Sequence, residues 1–178
     1  MKRHGISLFV APFAVLATLG LLSSAIAGDG DKFRARLRSI EEPPAISSVA
    51  RGAFEARLSQ DGVTVDYTLT YQDLEGDVRQ AHIHLGQRSV NGGISVWLCQ
   101  TAFNVDPTGL APACPQSGTV EGSFTAANVI GPAGQGIATG EFAELIRAMR
   151  AGVTYANVHS TKFPGGEIRG QIRGGDDD

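Results

Sequence analysis

The stretch YANVHSTKFPGGEIRGQI, Tyr155 to Ile172, leaves the backbone few choices. In its first arm Ala156 and Val158 point one way, and Tyr155, Asn157 and His159 the other, because successive strand residues face opposite sides. Phe163-Pro164-Gly165-Gly166 follows, with a proline to fix φ and two glycines to permit positive φ. The second arm places Ile168, Gly170 and Ile172 on one face and Glu167, Arg169 and Gln171 on the other. Together they predict an antiparallel hairpin with one apolar face and one face of functional groups. Ala81 to Gly86 (AHIHLG) repeats the logic, with Ala81, Ile83 and Leu85 inward and His82 and His84 opposite. Apart from His4, these two stretches hold every histidine of the chain.

The same period of two recurs elsewhere. Phe33, Ala35 and Leu37 alternate with Arg34 and Arg36, and the three arginines through Arg38 are expected on a solvated sheet edge. Glu41-Glu42-Pro43-Pro44 must be a connection, since two prolines cannot donate to a ladder. Gly52 to Thr70 reads as a hairpin about Asp61-Gly62. Ile94, Val96 and Leu98 mark a further strand with Trp97 on its other face, and Thr119 to Thr125 another. Only one segment changes period. Phe142, Leu145, Ile146 and Met149 form a helical stripe, predicting one short helix at about 140–151, with Thr139 as N-cap and Gly152 as stop. About eight short strands with one helix predict an all-β fold, an antiparallel β-sandwich or flattened barrel. There is no βαβ alternation, no G-x-G-x-x-G and no P-loop.

The ends and the cysteines bear on compartment. Residues 1–27 have a basic start, an apolar run and an A-x-A end, as a secretory signal peptide does; the alternative is a membrane anchor, since the apolar run approaches spanning length. Cleavage there leaves one domain, with no membrane span, in a secreted or periplasmic setting. Residues 174–178 are expected to be an acidic tail. The formal net charge is −3 and no basic patch stands out, which argues against nucleic acid. Cys99 and Cys114, the only cysteines, are expected to form a disulfide. The alternative, a cysteine metal site, lacks a neighbouring partner at ligand spacing.

Hydrolytic chemistry finds little to work with. There is no G-x-S-x-G, and Ser160, next to His159 on a strand, faces the opposite side. The candidate constellation is the histidines. His82 and His84 are two apart on one strand face, and His159 is a third ligand if its strand lies alongside. Three imidazoles suit copper or zinc. The alternative is a hydrogen-bonding role with Glu167 and Arg169 as partners. Those two also share a face, either as an exposed ion pair or, with Asn157, as a polar network beside His159.

Ala-His-Ile-His-x-Gly at 81–86, then a helix and Tyr-Ala-Asn-Val-His-Ser…Pro-Gly-Gly-Glu-Ile-Arg-Gly-Gln-Ile at 155–172, resembles the CHRD domain, named for chordin. Glu41-Glu42-Pro43-Pro44 is similar to that family's early Glu-x-Pro-Pro. The resemblance covers about residues 32–173, within an expected domain of 28–173. It implies a secreted β-rich module of the kind found in bacterial exported proteins and repeated in growth-factor-binding chordins, with no established enzymatic activity. The Gln100–Ala113 loop and its flanking cysteines lie outside the pattern. A second, looser similarity is to copper-zinc superoxide dismutases: His82, His84 and His159 match copper ligands there, but once the leader with His4 is removed no fourth histidine is left to bridge a zinc. The expectation is a non-catalytic exported binding or structural module whose partner is an extracytoplasmic protein or envelope ligand. The alternative is a copper-binding protein, with a redox role open.

Overall fold

Alternation of apolar and polar side chains decides the architecture. A computed structural model describes Met1 and residues 32–175. The expected leader, 1–27, and the last three residues of the expected tail, 176–178, lie outside the described residues, Met1 aside. Nine strands and one α-helix follow in order: β1 (Lys32–Arg38), β2 (Arg51–Leu58), β3 (Val65–Gln72), β4 (Val78–Leu85), β5 (Gly93–Cys99), β6 (Gly118–Phe124), α1 (Phe142–Arg150), β7 (Thr154–Ser160), β8 (Ile168–Gln171) and the two-residue β9 (Arg173–Gly174). The strands pair antiparallel in one sheet, ordered β5-β4-β7-β8-β1-β2-β3-β6, with β9 against β1. The two end strands approach each other, and the Tyr67 hydroxyl donates to Leu98 O at 2.6 Å across the gap. The result is a nearly closed antiparallel barrel, as the strand count and spacing predict.

The inward positions of the strands fill the barrel. Phe33, Leu37, Phe54, Leu69, Ile83, Leu98 and Phe124 are all buried, and the α1 stripe of Phe142, Leu145, Ile146 and Met149 packs with them. Each such side chain contributes about 1.5–3 kcal/mol of transfer free energy. At β1 and at the start of α1 the structure differs from the sequence expectation. Arg34, Arg36 and Arg38 are exposed, but β1 lies inside the sheet between β2 and β8/β9, so they line a face and not an edge. The helix begins at Phe142, because Gly140 at φ 84° breaks the helical path ahead of it. Thr139 is therefore not the cap; its hydroxyl donates to Ile130 O. Glu141 is the N-cap residue, and its carboxylate accepts from the Ala138 N–H at 2.7 Å. Among the described residues no helix is long and apolar enough to cross a membrane.

One part of the sheet breaks the in-out rule. All seven residues of β7 are buried, and so are Ala81 to His84 of β4. The face expected to carry polar groups toward solvent is roofed by two connections. Glu42, in the first, accepts from Asn157 at 2.6 Å. Gln87 O and Val90 O, in the second, accept from Arg169 at 3.2 and 2.7 Å.

A disulfide joins Cys99, at the end of β5, to Cys114. It closes the 100–113 loop, whose own ladder includes Cys114 N–H to Gln100 O at 2.8 Å. Replacing both cysteines with serine should lower the unfolding free energy by about 3 kcal/mol without abolishing the fold, since the barrel has its own core. Urea denaturation followed by circular dichroism checks this; an unfolded double variant would contradict it.

Candidate metal centre

Pairing of β4 with β7 brings the two histidine-bearing stretches together. The register sets Gln80 opposite His159, His82 opposite Asn157 and His84 opposite Tyr155. Side chains two apart on a strand share a face, so all three imidazoles meet over the same patch of sheet. His82 Nδ1 lies 3.2 Å from His159 Nε2. One nitrogen from each of His82, His84 and His159 lies within 4.8 Å of the other two. Two nitrogens on one ion, with bonds of about 2.0–2.1 Å at roughly 90–120°, stand roughly 2.9–3.6 Å apart. The His82–His159 pair is already at that spacing, and the His84 nitrogen lies within 4.8 Å of both.

Backbone carbonyls fix the protons. A carbonyl can only accept, so His159 Nδ1–H donates to Pro164 O at 3.0 Å, and His84 Nδ1–H donates to Gly92 O at 3.0 Å. Both rings then carry their lone pair on Nε2, which at His159 faces His82. His84 Nε2 is buried and has no partner. At His82 the Nδ1 proton fills the gap by donating to His159 Nε2. An ion bound between these atoms would displace that proton to His82 Nε2, which is also buried without a partner. The carbonyl bonds are the outer-layer contacts that orient a ligating histidine.

A second layer holds the rings. Tyr155 stacks on His84, with centroids 4.7 Å apart and planes within 2°. The Arg169 guanidinium sits 3.5 Å above the other face of Tyr155, a cation–π contact. Arg169 also binds Asn91 Oδ1, Gln87 O and Val90 O, fastening the loop that supplies Gly92 O. Trp97 meets His82 edge-on at 4.3 Å. Asn157 donates to Glu42 and to Ile168 O. Gly166 is required beside them: its φ is +129°, and a Cβ there would lie 2.6 Å from Asn157 Nδ2 and 2.7 Å from Glu42 Oε1.

The expected network of Glu167, Arg169 and Asn157 therefore divides. Asn157 and Arg169 are register partners beneath the roof. Glu167 is fully buried elsewhere, accepting from the Ser48 hydroxyl and the Glu75 N–H, both at 2.8 Å. No hydrogen bond joins it to Arg169 or His159 among the described residues. It pins two loops to the Pro-Gly-Gly turn. Glu42, Tyr155 and Trp97 belong to the site but were not picked out as site residues in the sequence. For Glu42 the signal was there, in the Glu-x-Pro-Pro similarity.

Burial sets the charge states. Desolvation holds His82 down to about 2 and His84 to about 4, and also lowers His159; the neighbouring imidazoles add to the effect on His82 and His84. All three are neutral donors at physiological pH. Burial also raises Glu42 to about 7, against the lowering influence of Arg169 and Asn157. The Ser160 hydroxyl accepts from the Phe163 N–H. Three neutral imidazole nitrogens grouped in this way could hold a metal ion.

In comparison with protein families, the model of the CHRD domain matches residues 33–172. No curated protein and no solved structure matches the chain.

These charge states give a signed pH dependence for the metal-free protein. The depressed histidines favour the unfolded chain once it binds protons, so their contribution is lost as pH falls from 6.5 toward 4. Glu42 acts oppositely: its carboxyl is protonated more readily in the fold, so stability is lost as pH rises from 4.5 through 7. Three imidazoles outweigh one carboxylate. Unfolding midpoints in urea with chelator present should fall between pH 7 and 5, and Glu42→Gln should steepen the fall. Flat midpoints over that range would contradict the assignment.

Proposed function

The chain belongs to the CHRD domain family, and from that premise we propose that it is an exported, non-catalytic module whose buried histidine cluster holds copper. The observation that carries this reading is the convergence of His82, His84 and His159 within 4.8 Å, with carbonyl-fixed tautomers at two of them. Copper is preferred over zinc because the cluster offers three imidazoles and no fourth protein donor among the described residues, whereas zinc takes four ligands. Export is supported by the leader at 1–27 and by a disulfide, which persists in oxidising compartments. The domain at 28–173 then works in the periplasm or outside the cell, with an extracytoplasmic protein or envelope component as partner. A non-catalytic role accords with the family.

A second reading is favoured by the bonds from His159 to Pro164 O and from His84 to Gly92 O: the histidines tie the turn and the 86–92 loop to the sheet. Melting curves separate the two. Chelator-stripped protein at copper about 100-fold above Kd should gain about 2.7 kcal/mol, a rise of several degrees in Tm. Alanine at any of the three positions should remove most of that rise. If copper leaves Tm unchanged while the alanine variants destabilise the metal-free protein by about 1–3 kcal/mol, the histidines are ties alone.

A further inference from the structure

We infer that the ion held by this centre is cuprous, Cu⁺, and that the site disfavours Cu²⁺ and Zn²⁺. The inference rests on the metal reading above and specifies its ion. Among the described residues the cluster consists of three histidines, with no carboxylate or thiolate. Its donors are therefore neutral. Attraction of an ion to neutral dipolar ligands grows in proportion to the ion's charge, whereas the cost of removing it from water grows as the charge squared. A dry site built from neutral donors alone therefore discriminates against the doubly charged ion. The rings are almost sealed, with His82 at 0%, His84 at 7% and His159 at 6% exposure.

The surrounding charges sharpen the argument. A fixed cation, Arg169, lies close by, buried at 2% exposure and stacked on the Tyr155 ring that itself stacks on His84. Its field acts against positive charge at His84. The nearest carboxylate under the roof, Glu42, is bound to Asn157 and interacts with Arg169, so when ionised it offsets that guanidinium and leaves no negative charge over for a metal. Glu41 is paired with Arg88 at the surface. Glu167 is engaged by Ser48 and the Glu75 amide. An incoming ion thus brings its whole charge uncompensated.

Coordination number points the same way. Zn²⁺ takes four ligands in a tetrahedron and Cu²⁺ a tetragonal set, so either needs at least one further donor beside these rings. Cu⁺ has a filled d shell, imposes no such geometry, and is satisfied by three nitrogens.

The test is competition on full-length mature protein stripped of metal. Cu⁺ is presented under argon with a chromogenic cuprous chelator, and Cu²⁺ and Zn²⁺ with their own indicator ligands in the same buffer. Trp97, the chain's only tryptophan and in contact with His82, supplies an independent fluorescence readout of occupancy. We expect one Cu⁺ per chain, bound about a thousandfold more tightly than either divalent ion. Zn²⁺ or Cu²⁺ binding as tightly as Cu⁺ would overturn the inference while leaving a metal centre in place. Saturation by none of the three ions would overturn the metal reading and the inference with it.

Discussion

Two backbone carbonyls, Gly92 O and Pro164 O, set the state of the whole centre. Each takes the Nδ1 proton of a buried histidine, and each belongs to a loop that other side chains must hold still. A buried imidazole without such a partner would cost about 1–3 kcal/mol for its unsatisfied N–H. With the partner, its proton is fixed and its Nε2 lone pair is turned inward. Much of the outer layer serves that end. Arg169 grips Gln87, Val90 and Asn91 so that Gly92 stays in place, and the Pro-Gly-Gly turn presents Pro164 to His159.

The same constraint accounts for the buried polar face. Histidine, asparagine, arginine and glutamate on a sheet ordinarily look to solvent. Here they look into a layer of loops, and the layer is polar enough to receive most of them. The Glu42–Asn157 bond crosses 115 residues of sequence. Burying Glu42 costs enough to raise it to about 7, and its partners Arg169 and Asn157 offset only part of that. A site maintained against such costs is the kind of place where function concentrates. Two of the buried groups still without partners, His82 Nε2 and His84 Nε2, are those an incoming ion would reorganise.

The strands were legible because period two survives in Phe33–Leu37, Val65–Leu69 and Ala81–Leu85, where one face meets the core. The helix was legible from four apolar residues at helical spacing, though its start was not, because Gly140 was read as part of the helix. That His82, His84 and His159 share a face followed from strand parity. Their meeting depended on β4 pairing with β7 across the α1 crossover, which no local pattern encodes. The roof was invisible for the same reason. Glu42 sits in a proline-rich connection whose periodicity says nothing about burial, and the stacking of Arg169 on Tyr155 requires a neighbouring strand. The Glu167–Arg169 pairing suggested by their spacing gave way to two separate clamps once loops from 39–50 and 73–77 reached Glu167 first.

The most direct measurement is anomalous diffraction at the copper edge from crystals grown with the cuprous ion. The account predicts one peak per chain, about 2.0–2.1 Å from His82 Nδ1, His84 Nε2 and His159 Nε2, with the carbonyl bonds of His84 and His159 intact. A peak elsewhere on the chain, with His82 still bonded to His159 as in the metal-free cluster, would contradict it.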